Sequence, residues 1–423
     1  MFNRRKLLVL SFTFVAIGYL FSIATTSLSI IVLIIAWLLN YKDHNYKNII
    51  REKKLLFPVL YIIITMISLS YSLDYASGLT DITRQISFLL LPFIFLTVKP
   101  LDELEIIKIK RVYIYAVLVL FIISLGVAIV RQIGSYGRGG DFNWWYFYRY
   151  DFLEVFQQHP TFVTLYTIVA ISFLLFQGKK LITNIKMRLF IIFFLSLGIV
   201  LCGSRIGYAI SLLVAFVYVI IDLREKDRGQ RKKFFLIYSL SSLAFLYAMW
   251  SVPIIKERVL YSLGYQYDYK YNPHADVSKG SAIQQGRLLI WEDALFLIKE
   301  RPIFGYGTGS DRLVLRQKYK KEGHTIFLKE NYNAHSTYLE LELIGGIFLV
   351  GSFLLMMYIV FVESYRKKDI FLFIFVMIIT TTAITEYIFG RVQGVVFFLF
   401  FYYFLSVNQI SRISFNKYKY GNS

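Results

Sequence analysis

The chain has 423 residues, of which 57% are hydrophobic, 18% aromatic and only 17% charged, where a soluble domain carries about 25% charged residues. Apolar stretches long enough to cross a hydrocarbon core of about 30 Å recur throughout, which excludes a soluble enzyme and defines an all-α polytopic membrane protein. The formal charge of +20 is no sign of nucleic-acid binding, because the basic residues flank apolar runs as membrane topology requires.

Arg4-Arg5-Lys6 open an apolar run that reaches Asn40 without a small-residue cleavage site, so it reads as an uncleaved first span. Leu7–Asn40 is too long for one helix and suits two short ones, with Ala24-Thr25-Thr26-Ser27 as their hairpin. Further spans are expected at Leu55–Tyr71, Ile86–Val98, Val112–Val130, Thr161–Phe176, Leu189–Leu201, Ile206–Ile221 and Phe234–Val252. After a polar island they resume at Thr337–Val362, Ile370–Ala383 and Gln393–Val407, about twelve in all. The expected division is nine spans in 1–252, one large outer loop in 253–336, and three spans with a cytoplasmic tail in 337–423.

With the N-terminus inside, the seven segments on that side hold 28 of the 47 Lys and Arg, and the short outer loops hold six. This asymmetry places both termini in the cytoplasm and the island outside. All six outer residues are arginine: Arg84, Arg131, Arg138, Arg149, Arg205 and Arg391. Arginine grips phosphate in a two-pronged contact and stays charged near lipid; snorkelling to the interface is the plainer reading.

The outer segment from Arg131 to Pro160 is dense in aromatics, including Trp144, Trp145, Tyr148 and Tyr150. Such a run is usually an interfacial belt, and it also suits stacking on sugar rings. His159-Pro160 opens the next span, with proline tolerated in the first turn and His159 read as a cap or interface residue. Cys202 lies in an apolar run and reads as a small core residue. Arg205 interrupts two spans within Gly203-Ser204-Arg205-Ile206-Gly207, a costly place for an arginine without a partner or a function.

Inside the island, Arg287–Glu300 has helical periodicity with Leu288, Trp291, Leu295 and Ile298 on one face, which suits a helix lying on the membrane. Pro302 ends it. Gly305, Gly307 and Gly309 then follow a helix rather than a strand, so no dinucleotide site is indicated. A plain glycine turn is favoured over a phosphate nest. His335 stands at the outer mouth of the span that begins at Thr337.

At these residues the sequence resembles the O-antigen ligase and O-antigen polymerase superfamily of bacterial envelope enzymes. The resemblance rests on Gly203–Gly207, Gly286-Arg287 with Trp291, Arg301-Pro302-Ile303-Phe304-Gly305-Tyr306-Gly307, His335, Tyr338-Leu339 and Gly345-Gly346. Ser72–Tyr75 with Arg84, and His159-Pro160, look like the family as well. Ser336 stands where asparagine is common in it.

The resemblance implies a glycosyltransferase-C-like membrane enzyme of the bacterial inner membrane. Such an enzyme moves a glycan from undecaprenyl diphosphate to lipid A-core, or a related envelope acceptor, on the periplasmic face. Neither cofactor nor metal is expected for the chemistry. The family's essential residues fall on Arg205, Arg287 and His335; Arg84, Arg391, His159, Trp291 and Tyr338 are candidates for substrate binding. Fixed guanidinium groups suit the charge that develops on a departing diphosphate, and an imidazole suits the proton of the attacking hydroxyl. Alternatives are a polymerase of the same lipid-linked glycan and a protein O-oligosaccharyltransferase. A lipid-linked glycan transporter is weaker, since no internal repeat is visible and the polar groups gather at one face.

Overall fold

The structure, a computed structural model, describes residues 4–224, 226, 227, 229–233, 236, 247, 256 and 277–408. The expected span Phe234–Val252 and the opening of the island, up to residue 276, lie almost wholly outside the described residues. Among these, all regular structure is helical. The principal helices are α1 Arg4–Phe21, α2 Ile23–Leu39, α3 Phe57–Ser68, α4 Tyr75–Gln85, α5 Ser87–Thr97, α6 Glu103–Tyr136 and α7 Pro160–Leu181. They continue as α8 Ile185–Cys202, α9 Arg205–Arg224, α10 Val277–Glu300, α11 Asp311–Lys321, α12 Thr337–Lys367, α13 Ile370–Thr385 and α14 Val392–Val407.

Six described helical stretches are long and apolar enough to cross a membrane: Tyr75–Thr97, α6, α7, α8, α9 and α12. Four shorter apolar helices accompany them, α2, Phe57–Tyr71, α13 and α14. The described residues therefore establish a multi-pass all-α membrane protein and fall short of a count of twelve spans. The first hairpin turns earlier than expected, at Ser22 instead of 24–27. Ser22 and Thr25 form a reciprocal capping box, and Thr26 bonds back to the Ser22 carbonyl. Ser22 Oγ accepts the Thr25 N–H and Thr25 Oγ1 accepts the Ser22 N–H, so the threonines sit inside the first turn of α2 rather than in a loop.

α14 is the centre of the bundle. Its apolar side chains, from Val395 to Leu405, are buried all round, as for a helix fully enclosed by others. It packs against α1, α2, α5 and α13, and Tyr403 donates to the Leu55 carbonyl.

α12 is broken at Gly345-Gly346, where Gly346 has φ 59 and ψ −157. A break at membrane depth frees backbone groups that lipid cannot satisfy. Here the glycine-spaced loop supplies the partners: Tyr306 and Gly307 donate N–H to the Leu343 and Ile344 carbonyls at 2.7 and 2.9 Å, and Ile347 donates to Pro302 at 3.1 Å. The other side of that loop rests on the end of α3 and the start of α4. Thr308 Oγ1 donates to the Thr65 carbonyl at 2.7 Å, and Ser72 Oγ donates to the Thr308 carbonyl at 2.7 Å. A Cβ on Gly307 would meet Ser72 Cα at 2.6 Å, and one on Gly309 the Gly78 nitrogen at 2.2 Å. The glycines thus let two backbones touch, and the loop is a clasp between α3–α4 and α12.

Candidate active site

The clasp and the first turn of α12 bring α10 beside the ends of α7 and α13. α10 carries Arg287, half-buried, whose Nη2 lies 3.5 Å from Glu386 Oε1 just beyond α13. The same carboxylate oxygen accepts from Thr161 Oγ1 at 3.3 Å, and Thr161 Oγ1 accepts from Ser204 Oγ at 3.2 Å. Thr337 Oγ1, in turn, donates to the Glu386 carbonyl at 2.6 Å. Glu386 therefore ties together α7, α10, α12, α13 and the residue preceding Arg205.

His335 is not the cap of α12; Ser336 is, and its hydroxyl also bonds the Ala383 carbonyl. His335 itself sits in the left-handed region at φ 47, a conformation that costs a non-glycine residue of order 1 kcal/mol and needs support from its surroundings. That support comes from three directions. Asn333 Oδ1 accepts the His335 N–H at 3.1 Å, the Trp291 indole donates to the Ala334 carbonyl at 3.0 Å, and Glu340 accepts the Ala334 N–H. The Tyr332 ring meets the imidazole edge-on at 5.4 Å between centroids.

Two histidines face one set of charges. His159 caps α7 as expected, with Nδ1 accepting the Thr161 N–H at 3.3 Å. Burial first, and then Arg391, His335, Arg149 and Arg287, pull its pKa down to about 3. Burial and the Arg287 guanidinium bring His335 down to about 4. Both imidazoles are accordingly neutral at pH 7. Burial pushes the Glu386 carboxyl up, against the opposing pull of Arg287, Arg391 and Arg149. Three guanidinium groups thus act on one carboxylate in a partly enclosed corner. Such a site is complementary to an anion with several oxygens.

The sequence candidates distribute as follows. Arg287, His335, His159 and Arg391 converge on this corner. Arg205 opens α9 directly after Gly203, which turns left-handed at φ 62 against Tyr148 and Arg149, and its side chain is exposed. Trp291 braces the His335 turn. Tyr338 donates its hydroxyl to the Thr380 carbonyl at 3.1 Å, joining α12 to α13. Arg84 pairs with Asp81 at 2.7 Å on α4. Sequence reasoning missed Glu386 and Thr161, and it left Arg149 among the general outer arginines. Arg149 is left-handed at φ 56 and stacks near Tyr150.

Fold and site together define a multi-pass membrane protein with an arginine–histidine corner at the helix ends. Residues 190–354 match the family model described as O-antigen ligase, which supports the resemblance to the O-antigen ligase and polymerase superfamily. This window covers under half of the chain but contains Arg205, Arg287, Trp291 and His335. A search of curated proteins returns no match. The match supports a glycan-handling enzyme of ligase or polymerase type.

Proposed function

We propose that the chain is a glycosyltransferase that moves a glycan from undecaprenyl diphosphate to lipid A-core, or to a related envelope acceptor, on the periplasmic face of the bacterial inner membrane. The observation that carries this reading is the meeting of Arg287, Arg391 and Arg149 at Glu386, with His159 and His335 beside the same arginines. In this reading the guanidinium groups, with Arg205 from the mouth of α9, hold the diphosphate. The acceptor hydroxyl oxygen attacks the anomeric carbon from the opposite side. The bond from that carbon to phosphate oxygen breaks, its electron pair leaves with undecaprenyl diphosphate, and the configuration inverts. The hydroxyl proton passes to His335. Bound diphosphate offsets the positive field of Arg287 and raises the basicity of the imidazole when a proton must be taken.

The topology that goes with this function has both termini in the cytoplasm, about twelve spans and the 253–336 loop outside; the short-loop charge asymmetry supports it. Ligation is favoured over polymerisation by a single large outer island, with protein O-glycosylation as a variant on the same donor. The purified protein, given lipid-linked glycan and acceptor in detergent, is expected to transfer, and the Arg205→Ala, Arg287→Ala and His335→Ala variants to fail while remaining folded. Near-normal transfer by any of the three removes that residue from the site. In a deletion strain, loss of all ladder bands with lipid-linked polymer retained means ligase; a single-repeat band means polymerase.

A further inference from the structure

Beneath the His335 turn lie two carboxyl groups that the transfer chemistry does not use. Glu340, in the first turns of α12, is fully buried, and its Oε1 accepts the Ala334 N–H. Asp311, the first residue of α11, is buried as well, and the two carboxyl groups bear on each other electrostatically. Glu340 Oε2 and Asp311 Oδ1 are both enclosed and without a hydrogen-bond partner among the described residues. Ionised carboxylates only accept, so two facing each other in a buried site repel unless a proton lies between them.

The neighbouring charges point the same way. Asp81 on α4 adds a third carboxyl, and the cations in reach are Arg312 and Arg84, the latter paired with Asp81. The phenols of Tyr319 and Tyr387 complete the surroundings. Among the described residues, two cations against three carboxyls leave one negative charge uncompensated in a dry place, and a shared proton removes it.

We infer that Asp311 and Glu340 hold one proton between them, and that this pair is the positioning device for His335, fixing its turn from below through the Ala334 N–H. Asn333 and Trp291 fix the turn from the sides. Burial holds the Asp311 carboxyl above the ordinary carboxylate range, in keeping with a protonated pair at neutral pH. Without the brace the left-handed turn relaxes, and the imidazole loses its register against Arg287. The inference rests on His335 acting in transfer.

Transfer kinetics of the full-length protein in detergent test it, with Glu340→Gln, Glu340→Leu, Asn333→Ala and His335→Ala compared. A glutamine keeps an oxygen for Ala334 and offers an N–H to Asp311, so Glu340→Gln is expected to stay within about threefold of the parent. Glu340→Leu and Asn333→Ala are expected to lose about tenfold or more in kcat with KM nearly unchanged, as for a misplaced catalytic group. Glu340→Gln as poor as Glu340→Leu overturns the shared proton; Glu340→Leu or Asn333→Ala at the parental rate overturns the positioning role. Where Glu340→Leu does not fold, Glu340→Gln and Asn333→Ala decide alone. An active His335→Ala variant removes His335 from the reaction, and with it the role on which this inference rests, whereas an inactive one beside normal Glu340→Leu and Asn333→Ala sinks only this inference.

Discussion

Arg287 Nη2 stands 3.5 Å from Glu386 Oε1, across 99 positions of sequence. The contact is longer than a charge-assisted bond prefers, the guanidinium is 36% exposed, and the carboxylate already accepts from Thr161. A guanidinium held this loosely can exchange its carboxylate for phosphate oxygens without leaving a buried charge behind. In the proposed reaction, Glu386 thus keeps Arg287 in place between turnovers and leaves its fork open to the diphosphate.

That fork sets the first expectation. Arg287→Ala should lower kcat/KM about 100-fold or more, the usual loss when a donor to developing charge is removed. Arg287→Lys keeps the charge and loses the planar two-pronged contact, so it should still lose about tenfold or more. Thermal unfolding in detergent checks that both variants stay folded, as expected for a half-exposed side chain. A fully active lysine variant would mean that charge alone suffices.

Trp291 gives a second expectation. Its ring packs in the island's apolar cluster while its N–H holds the Ala334 carbonyl at 3.0 Å. Trp291→Phe keeps most of the packing and deletes the donor, at a cost of about 1 kcal/mol in stability. The larger effect should fall on kcat, because the carbonyl that is released adjoins His335. Single-turnover rates separate this from donor binding; a change in KM alone would return Trp291 to a direct role in holding substrate.

The apolar runs were legible because hydrophobic matching to lipid is a property of contiguous sequence. The ends of α7, α8, α9 and α12 fall within a few residues of where hydropathy puts them. Of the candidate corner, the sequence singled out only residues conspicuous in their surroundings, as with His335 at the mouth of a span. Glu386 and Thr161 were not, since a glutamate at a helix end and a threonine in a first turn are ordinary there. Their role arises from α7 and α13 meeting α10. The glycine run was read as a plain turn, and its use as a spacer between α3–α4 and α12 depends on the break at Gly346, which no local pattern announces.

The two histidines give an expectation in pH. In the folded chain His335 is lowered to about 4 and His159 to about 3, both mainly by burial, whereas an unfolded chain binds protons at about pH 6.5. A lowered histidine pKa means that the unfolded state binds more protons over this window. The stability is therefore fully present above about pH 6.5 and is lost as pH falls through that value toward 4. The melting temperature should decline more steeply over this range in the parent than in a His159→Gln/His335→Gln variant. Equal slopes would show that the imidazoles are as open to protonation as in free solution.

The glycine clasp separates two readings of Gly305, Gly307 and Gly309 by stability alone. Gly309 has φ 87, and an added Cβ would fall 2.2 Å from the backbone nitrogen of Gly78. Gly323 has φ 75 with nothing within 4 Å of such a Cβ. Gly323→Ala should therefore cost only the backbone strain, about 1 kcal/mol. Gly309→Ala adds a backbone collision and should cost about 3 kcal/mol or more, with a matching fall in melting temperature. Because α10 and the His335 turn are seated by this clasp, activity should fall with it. A phosphate nest makes the opposite demand: Gly309→Ala would then unfold like Gly323→Ala and show its defect in donor KM. The comparison of the two alanine variants in unfolding and kinetics decides between a spacer and a nest.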